Sequence, residues 1–229
     1  ITCVHVKEKQ LESRNALMRV LQKIFRPTLE FENAAYSRGF SKIAGIDEAG
    51  RGPLAGPVVV AAVILGKNWN TEFEINDSKQ LTAKKRQKLF DLICAESSAF
   101  KIVSVSPQEI DRLNILQATM FGMQRCSAEI EPIPDYLLVD GNRYPVTNIQ
   151  GQAIVKGDCL SKSIAAASIL AKVTRDRKMV EFGEKYPQWG FERHKGYPTS
   201  QHREAIAEHG LSPIHRRSFR LKPVQTNLL

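Results

Sequence analysis

Short apolar runs, each ended by a polar or glycine-rich turn, recur along the chain from residue 43 onward. Ile43, Ala44 and Ile46 read as the end of a buried strand, and Gly56-Pro57 opens a second run, Val58 to Leu65. Lys101 to Val105, Tyr136 to Val139 and Ala153 to Val155 read as three more strands. Helical signals fill the intervals. Thr82 is placed to cap a helix running to about Ser97. Ser106-Pro107-Gln108-Glu109 is a capping-box pattern with Pro at the first helical position; the helical stretch it opens breaks near Asn114, continues to Ile130 and is closed by Pro132 and Pro134. A long helix over Ser161 to Phe182 carries the run Ile164 to Ala171, whose small residues permit close packing on a sheet, before turning basic. A last helix is capped at Thr199 and ended by Gly210. This order predicts an α/β fold, a mixed five-stranded sheet flanked by helices. Leu17, Leu21, Ile24 and Phe25 mark a separate amphipathic helix ending near Arg26-Pro27. Residues 1–40 are therefore read as an N-terminal helical extension, 41–220 as the main domain with a C-terminal helical segment, and 221–229 as a tail.

At 229 residues and 42% hydrophobic content the chain can bury a sizeable core. Its formal net charge of +9 is unevenly spread: Lys172 to Lys222 holds 12 Lys or Arg against 6 Asp or Glu. A basic C-terminal quarter beside acidic strand ends points to a polyanionic substrate whose reacting phosphate needs metal ions as well as side-chain cations. A solubilising surface is the plainer reading of the charge alone. Cys3, Cys94, Cys126 and Cys159 lie far apart without a C-x-x-C pair, which argues against a zinc module or a disulfide framework and fits a reducing cytoplasm. His5, His194, His202, His209 and His215 form no H-E-x-x-H arrangement and read as surface, capping or substrate-side residues. No uncharged apolar run approaches the roughly 18 residues of a membrane span, and the N-terminus shows no signal-peptide core, so the expectation is a soluble cytoplasmic protein with no membrane partner.

Three segments place acids at or just beyond the ends of apolar strands: Asp47 with Glu48, Asp140, and Asp158. Each has a plainer reading when taken singly, as a solvated strand end, a tight turn at Asp140-Gly141-Asn142, or a helix cap at Asp158. Acids ending three strands of one sheet would cluster, and clustered carboxylates repel unless metal ions or protonation neutralise them. An all-oxygen site suits Mg²⁺ or Mn²⁺ better than zinc. Two such ions about 4 Å apart would activate water and stabilise the leaving oxygen of a phosphodiester. Competing signatures are missing: Gly50-Arg51-Gly52 is no dinucleotide fingerprint, and neither G-x-S-x-G nor a Walker A loop occurs. Neighbours in an extended strand face opposite ways, so Asp47 and Glu48 both point inward only if regular structure ends there, as Gly50 would allow. Strand geometry thus favours Asp47 as the direct ligand.

At these residues the chain resembles the type 2 ribonucleases H, the ribonuclease HII family. The resemblance runs from Ile43-Ala44-Gly45-Ile46-Asp47-Glu48-Ala49-Gly50-Arg51-Gly52-Pro53 through Asp77-Ser78-Lys79, Val139-Asp140-Gly141-Asn142 and Lys156-Gly157-Asp158. It continues in the block from Ser168 to Arg177, in His194-Lys195-Gly196-Tyr197-Pro198-Thr199 and in the block from His209 to Phe219, covering about residues 42–220. It implies a ribonuclease H-like fold and an endonuclease that cuts the RNA strand of RNA-DNA hybrids and nicks ribonucleotide-containing duplex DNA, leaving 3'-hydroxyl and 5'-phosphate ends. It assigns Asp47, Glu48, Asp140 and Asp158 as the metal-binding catalytic acids, Gly50, Arg51 and Gly52 to the ribose 2'-hydroxyl, and Tyr197 to the neighbouring sugar. The 2'-hydroxyl is what separates RNA from DNA chemically. Lys79 resembles the family lysine near the substrate phosphate, while Lys172 and Arg175 are candidate backbone contacts on the basic helix. Gln80 departs from the family, which usually has a second lysine there. The family expectation is a monomer, and the C-terminal residues suggest no sliding-clamp partner. Two other readings stay open: another ribonuclease H-like phosphoryl transferase of resolvase or integrase type, and a non-catalytic hybrid-binding module.

Overall fold

The computed structural model describes residues 27–67, 69 and 82–220. Five strands form one sheet: β1 (Ile43–Ala49), β2 (Val58–Ile64), β3 (Ala99–Val105), β4 (Tyr136–Asp140) and β5 (Gln150–Ile154), in spatial order β3-β2-β1-β4-β5. β1 runs antiparallel to β2 and parallel to β4, so the sheet is mixed. The helices among the described residues are α1 (Glu30–Ser37), α2 (Ala83–Glu96), α3 (Pro107–Leu113), α4 (Ile115–Glu129), α5 (Lys162–Lys185), α6 (Phe191–His194) and α7 (Ser200–His209).

Both faces of the sheet are covered. Val58, Val60 and Ala62 of β2 pack with Met123 and Cys126 of α4, while Val59, Ala61 and Val63 pack with the alanine-rich stretch of α5 and with Ile93 of α2. Burial on both faces explains why β2 reads as a continuous apolar run rather than an alternating one. β1 approaches α5 so closely that a Cβ on Gly45 would land on the backbone of Ser163 and Ile164. From that contact, two residues along β1 and five along α5 each advance about 7 Å, which brings Asp47 to Ser168.

The capping signals behave as their chemistry requires. Thr82 accepts from the Lys85 N–H, Ser106 and Glu109 complete both bonds of the capping box, and Thr199 accepts from His202. Asn114, at φ 65°, closes α3 and caps α4 by accepting from Leu116 and Gln117. Three boundaries differ from the sequence reading. β5 starts at Gln150 because, as an edge strand, it carries exposed polar side chains that break the apolar pattern; β3 starts at Ala99, and α5 runs on to Lys185.

Residues 27–40 do not stand apart from the domain. Glu32 is buried and accepts from the Ser161 and Ser163 hydroxyls and the Ser163 N–H at the start of α5, while Ala35 packs with Ile43, Leu138 and Ile164. Phe31 and Tyr36 pack with it only partly buried, and a helix of two turns is too short for this pattern to reveal the docking. The helix expected over Leu17 to Phe25, the residues Lys79 and Gln80, and the tail 221–229 lie outside the described residues. Among the described residues no helix is long and apolar enough to cross a membrane.

Candidate active site

A cleft of about 180 Å³ opens at the C-terminal end of β1, lined by Asp47, Glu48, Ala49, Gly50, Asp140, Ser168, Lys172, Arg175 and Tyr197. The adjacent parallel strands β1 and β4 bring Asp47 and Asp140 to the same end of the sheet. Asp47 is buried; desolvation, then repulsion from Glu48 and Asp140, holds its carboxyl well above the ordinary range. Hydrogen bonds from the Ser168 hydroxyl and from the Glu48 N–H, at 2.7 Å, act in the opposite direction.

Glu48 reaches the cleft without the break in structure that alternation requires, since β1 continues to Ala49. Asp47 instead curls back onto the next N–H, and Glu48 is drawn toward the turn by Arg51 Nη1 at 3.4 Å. Asp140 Oδ1 accepts from the Gly157 N–H at 2.7 Å, tying the turn that carries Asp158 to the end of β4. Asp158 is itself buried beside Asp140 and is not among the residues lining the cleft.

Among the described residues, no three acidic, imidazole or thiol groups stand as a ready-made metal cage. The donor set nevertheless fits a hard divalent cation. A buried carboxyl crowded by two other carboxylates at a cleft is what such an ion would neutralise, and oxygen is the ligand it prefers.

The opposite wall is the loop Gly50–Pro57. Gly50 has φ +101°, and a Cβ there would land on Arg175 Nε; a glycine is therefore needed both for the turn and for the close approach. Tyr197 is 45% exposed, and its Cε1 would lie 3.9 Å from a Cβ placed on Gly52. Lys172 pairs with Asp176 at 2.7 Å while still lining the cleft. Arg175, expected to contact substrate backbone, is almost fully buried. Its Nε donates to Pro57 O at 3.0 Å, and its Nη2 donates to Ala55 O at 3.1 Å and Lys195 O at 3.0 Å. It braces the loop from behind.

His202 and His215 differ from the reading as surface, capping or substrate-side groups, whereas His209 is exposed at the end of α7 and His5 lies outside the described residues. His202 and His215 are buried, and their bonds fix the tautomers: the Ser212 N–H donates to His215 Nδ1 at 2.8 Å, His215 Nε2–H donates to His202 Nε2 at 3.0 Å, and His202 Nδ1–H donates to Tyr197 O at 2.9 Å. Desolvation first, and repulsion from His194 second to it for His202, lower both imidazoles to about 4. They hold the backbone of Tyr197 as neutral groups. Ser168 and Arg216 were not singled out from sequence. Both fall inside blocks that resemble the family, but a lone hydroxyl in an alanine-rich run and one arginine of a basic stretch carry no sign of a role.

Comparison with known proteins shows the family to which the chain belongs. The sequence profile described as Ribonuclease HII matches residues 44–222. The ribonuclease HII of Shewanella sp. (strain MR-7) is 52% identical over 210 residues, covering 90% of this chain and 98% of its own length. That of Acetivibrio thermocellus is 49% identical over 213 residues, covering 93% and 81%. Among solved structures, the ribonuclease H2 from Pyrococcus horikoshii OT3 superposes with a TM-score of 0.65 at 29% identity, over 78% of this chain and 93% of that one. The ribonuclease HII from Archaeoglobus fulgidus, solved as a complex with PCNA, gives 0.67 at 28%, over 81% and 98%.

Proposed function

We propose how the site works from one premise: the chain belongs to the ribonuclease HII family, and is an endoribonuclease of the ribonuclease H type. The substrates are the RNA strand of RNA-DNA hybrids and single ribonucleotides embedded in duplex DNA, nicked on the 5' side. The observation that carries this reading is the sharing of one cleft by the carboxylates of Asp47, Glu48 and Asp140 and by Gly50 and Tyr197 opposite them. One wall suits phosphate chemistry, the other recognition of a sugar.

Asp47, Glu48 and Asp140, with Asp158 behind Asp140, would hold Mg²⁺ or Mn²⁺. When bound, the metal supplies charge to the scissile phosphate and lowers the pKa of the attacking water, most effectively as a pair of ions. The chain's own residues do the rest. Ser168 and the Glu48 N–H orient the Asp47 carboxylate. The bare backbone at Gly50 and Gly52 admits the ribose, Tyr197 supplies an apolar surface for the adjoining sugar, and Lys172, with Lys79, neutralises flanking phosphates. Water adds to phosphorus and the bond to the 3'-oxygen breaks, leaving a 3'-hydroxyl and a 5'-phosphate.

The test is a DNA duplex carrying one ribonucleotide, incubated with the protein with and without Mg²⁺ or Mn²⁺, beside an all-DNA control. The expected result is one metal-dependent nick 5' of the ribonucleotide and an intact control. Equal cleavage of the control would favour a resolvase-like transferase, and tight binding without cleavage a binding module.

A further inference from the structure

Arg216 is buried in the segment that follows α7, and that segment is zipped onto the loop opposite the acids. Its N–H donates to Leu54 O at 2.9 Å, the Gly56 N–H donates to Ile214 O at 2.9 Å, and Ala55 bridges to His215. The guanidinium is thereby placed beneath the loop. Nη2 donates to Gly50 O, Nη1 to Arg51 O at 3.0 Å and Pro53 O at 2.8 Å, and Nε to Gly56 O at 2.9 Å. Four carbonyls from one short loop therefore converge on a single planar cation. Among the described residues no carboxylate forms an ion pair with it; Asp111, the acid that acts on it from nearby, is bound to the Arg217 and Ser218 N–H groups.

The planar trans peptide turns this grip into an orientation. A carbonyl and the N–H of the following residue lie antiparallel across one peptide unit. Holding the Gly50 and Arg51 carbonyls inward therefore aims the Arg51 and Gly52 N–H groups away from Arg216. Among the described residues neither of these N–H groups donates to a protein acceptor, both residues are exposed, and Gly52 lies beside Tyr197. Two donors are thus fixed and left open to a ligand. A lysine could not do the same, because an ammonium has three donors in no fixed plane, whereas guanidinium presents five in a rigid fork.

We infer that Arg216 is the positioning residue for ribose discrimination: by gripping the carbonyls of Gly50, Arg51, Pro53 and Gly56 it sets the Arg51 and Gly52 N–H groups to bind a sugar hydroxyl. The assignment rests on the proposed ribonucleotide specificity and adds a residue about 160 positions from the loop it organises. Arg175 packs against Gly50 but bonds the same loop only at Ala55 and Pro57, so the Gly50 and Arg51 carbonyls are held by Arg216.

The test compares two duplexes differing by one 2'-hydroxyl, titrated with the protein in chelator so that no cleavage occurs. The readout is the ratio of their dissociation constants, which a reduced folded fraction leaves unchanged. Wild type should prefer the ribonucleotide duplex by roughly three- to tenfold, the range of one or two neutral hydrogen bonds. Arg216→Ala should bring the ratio to about one, and Arg216→Lys should give an intermediate value. An unchanged ratio in a folded variant, even with weaker binding to both duplexes, would make Arg216 merely structural and overturn the inference. If Arg216→Ala does not fold, Arg216→Lys decides. If neither folds, the guanidinium is a condition of folding and the positioning role is overturned. A wild-type ratio of one beside normal ribonucleotide cleavage would overturn the amide contact while leaving the ribonuclease reading intact.

Discussion

On one side of the cleft Asp47 is buried against Glu48 and Asp140, and desolvation followed by their repulsion raises its carboxyl. On the other, Arg175 and Arg216 are equally deep and also of like charge, and desolvation followed by their mutual repulsion lowers Arg216 to about 9. The two walls answer the same problem differently. The arginines are surrounded by backbone carbonyls that match their donors, seven bonds in all, and these bonds brace the loop in spite of the desolvation. Asp47 keeps a raised carboxyl in spite of its bonds from Ser168 and the Glu48 N–H, so its burial stands against the fold. Electrostatic strain marks the wall proposed to accept an ion, and matched hydrogen bonds the wall that holds a shape.

The largest effect should come from breaking the strained wall. Asp47→Asn should lower cleavage by at least about 10³-fold, because it removes a charged ligand from the reacting centre. Yet thermal melting in chelator should show a higher melting temperature than wild type: the folded pKa lies above the unfolded one, so the ionised side chain opposes folding at neutral pH. Loss of activity together with a lower melting temperature would contradict the comparison.

The opposite wall should respond with the opposite sign in stability. Arg175→Leu leaves the carbonyls of Ala55, Pro57 and Lys195 without this donor. At about 1–3 kcal/mol for each unsatisfied group, tempered by water, a loss of about 4 kcal/mol is expected in urea denaturation. Neutral stability would mean that Arg216 and the backbone contacts to Gly196 and Ile214 suffice to hold the loop.

A third test reaches the histidine chain behind Tyr197. Unfolded imidazoles take up protons below about pH 6.5, whereas folded His202 and His215 resist until about 4. The unfolded state therefore binds more protons between these limits, and stability should fall as pH drops from about 6.5 to 4, by on the order of 3 kcal/mol or roughly 5–10 °C in Tm. Asp47 works in the other direction, so the decisive measurement is a difference. His215→Gln keeps an acceptor and a donor without the titration and should remove about half of the slope; an unchanged slope would place the proton uptake elsewhere.

Legibility in sequence divided along the same line. Asp47, Glu48 and Asp140 were readable because a strand end is a local signal, an apolar run followed by an acid. The order of elements and the caps at Thr82, Ser106 and Thr199 were readable for the same reason. The brace was not: Arg216 meets Gly50 across 166 positions, and Arg175 meets Pro57 across 118. Nothing in a basic stretch separates an arginine that binds carbonyls from one that faces solvent. The docking of Glu32 on Ser161 and Ser163 was hidden by the same distance.

The smallest expected effect probes the point where the walls' contrast is moderated. Ser168 donates to Asp47 and favours its charged form, one of the donors serving the strained wall. Ser168→Ala should raise the Asp47 carboxyl further without touching the fold, at a loss near 1 kcal/mol for one charge-assisted hydrogen bond in the cleft. Because a metal ligand must be deprotonated, the consequence is a higher metal concentration for half-maximal cleavage, by about three- to tenfold, and a rise in the pH at which activity is half lost on the acid side. Both shifts should shrink as pH increases. A fall in maximal rate at saturating metal and high pH would instead give Ser168 a direct part in the reaction, since a group acting only on ionisation is silent once Asp47 is fully charged.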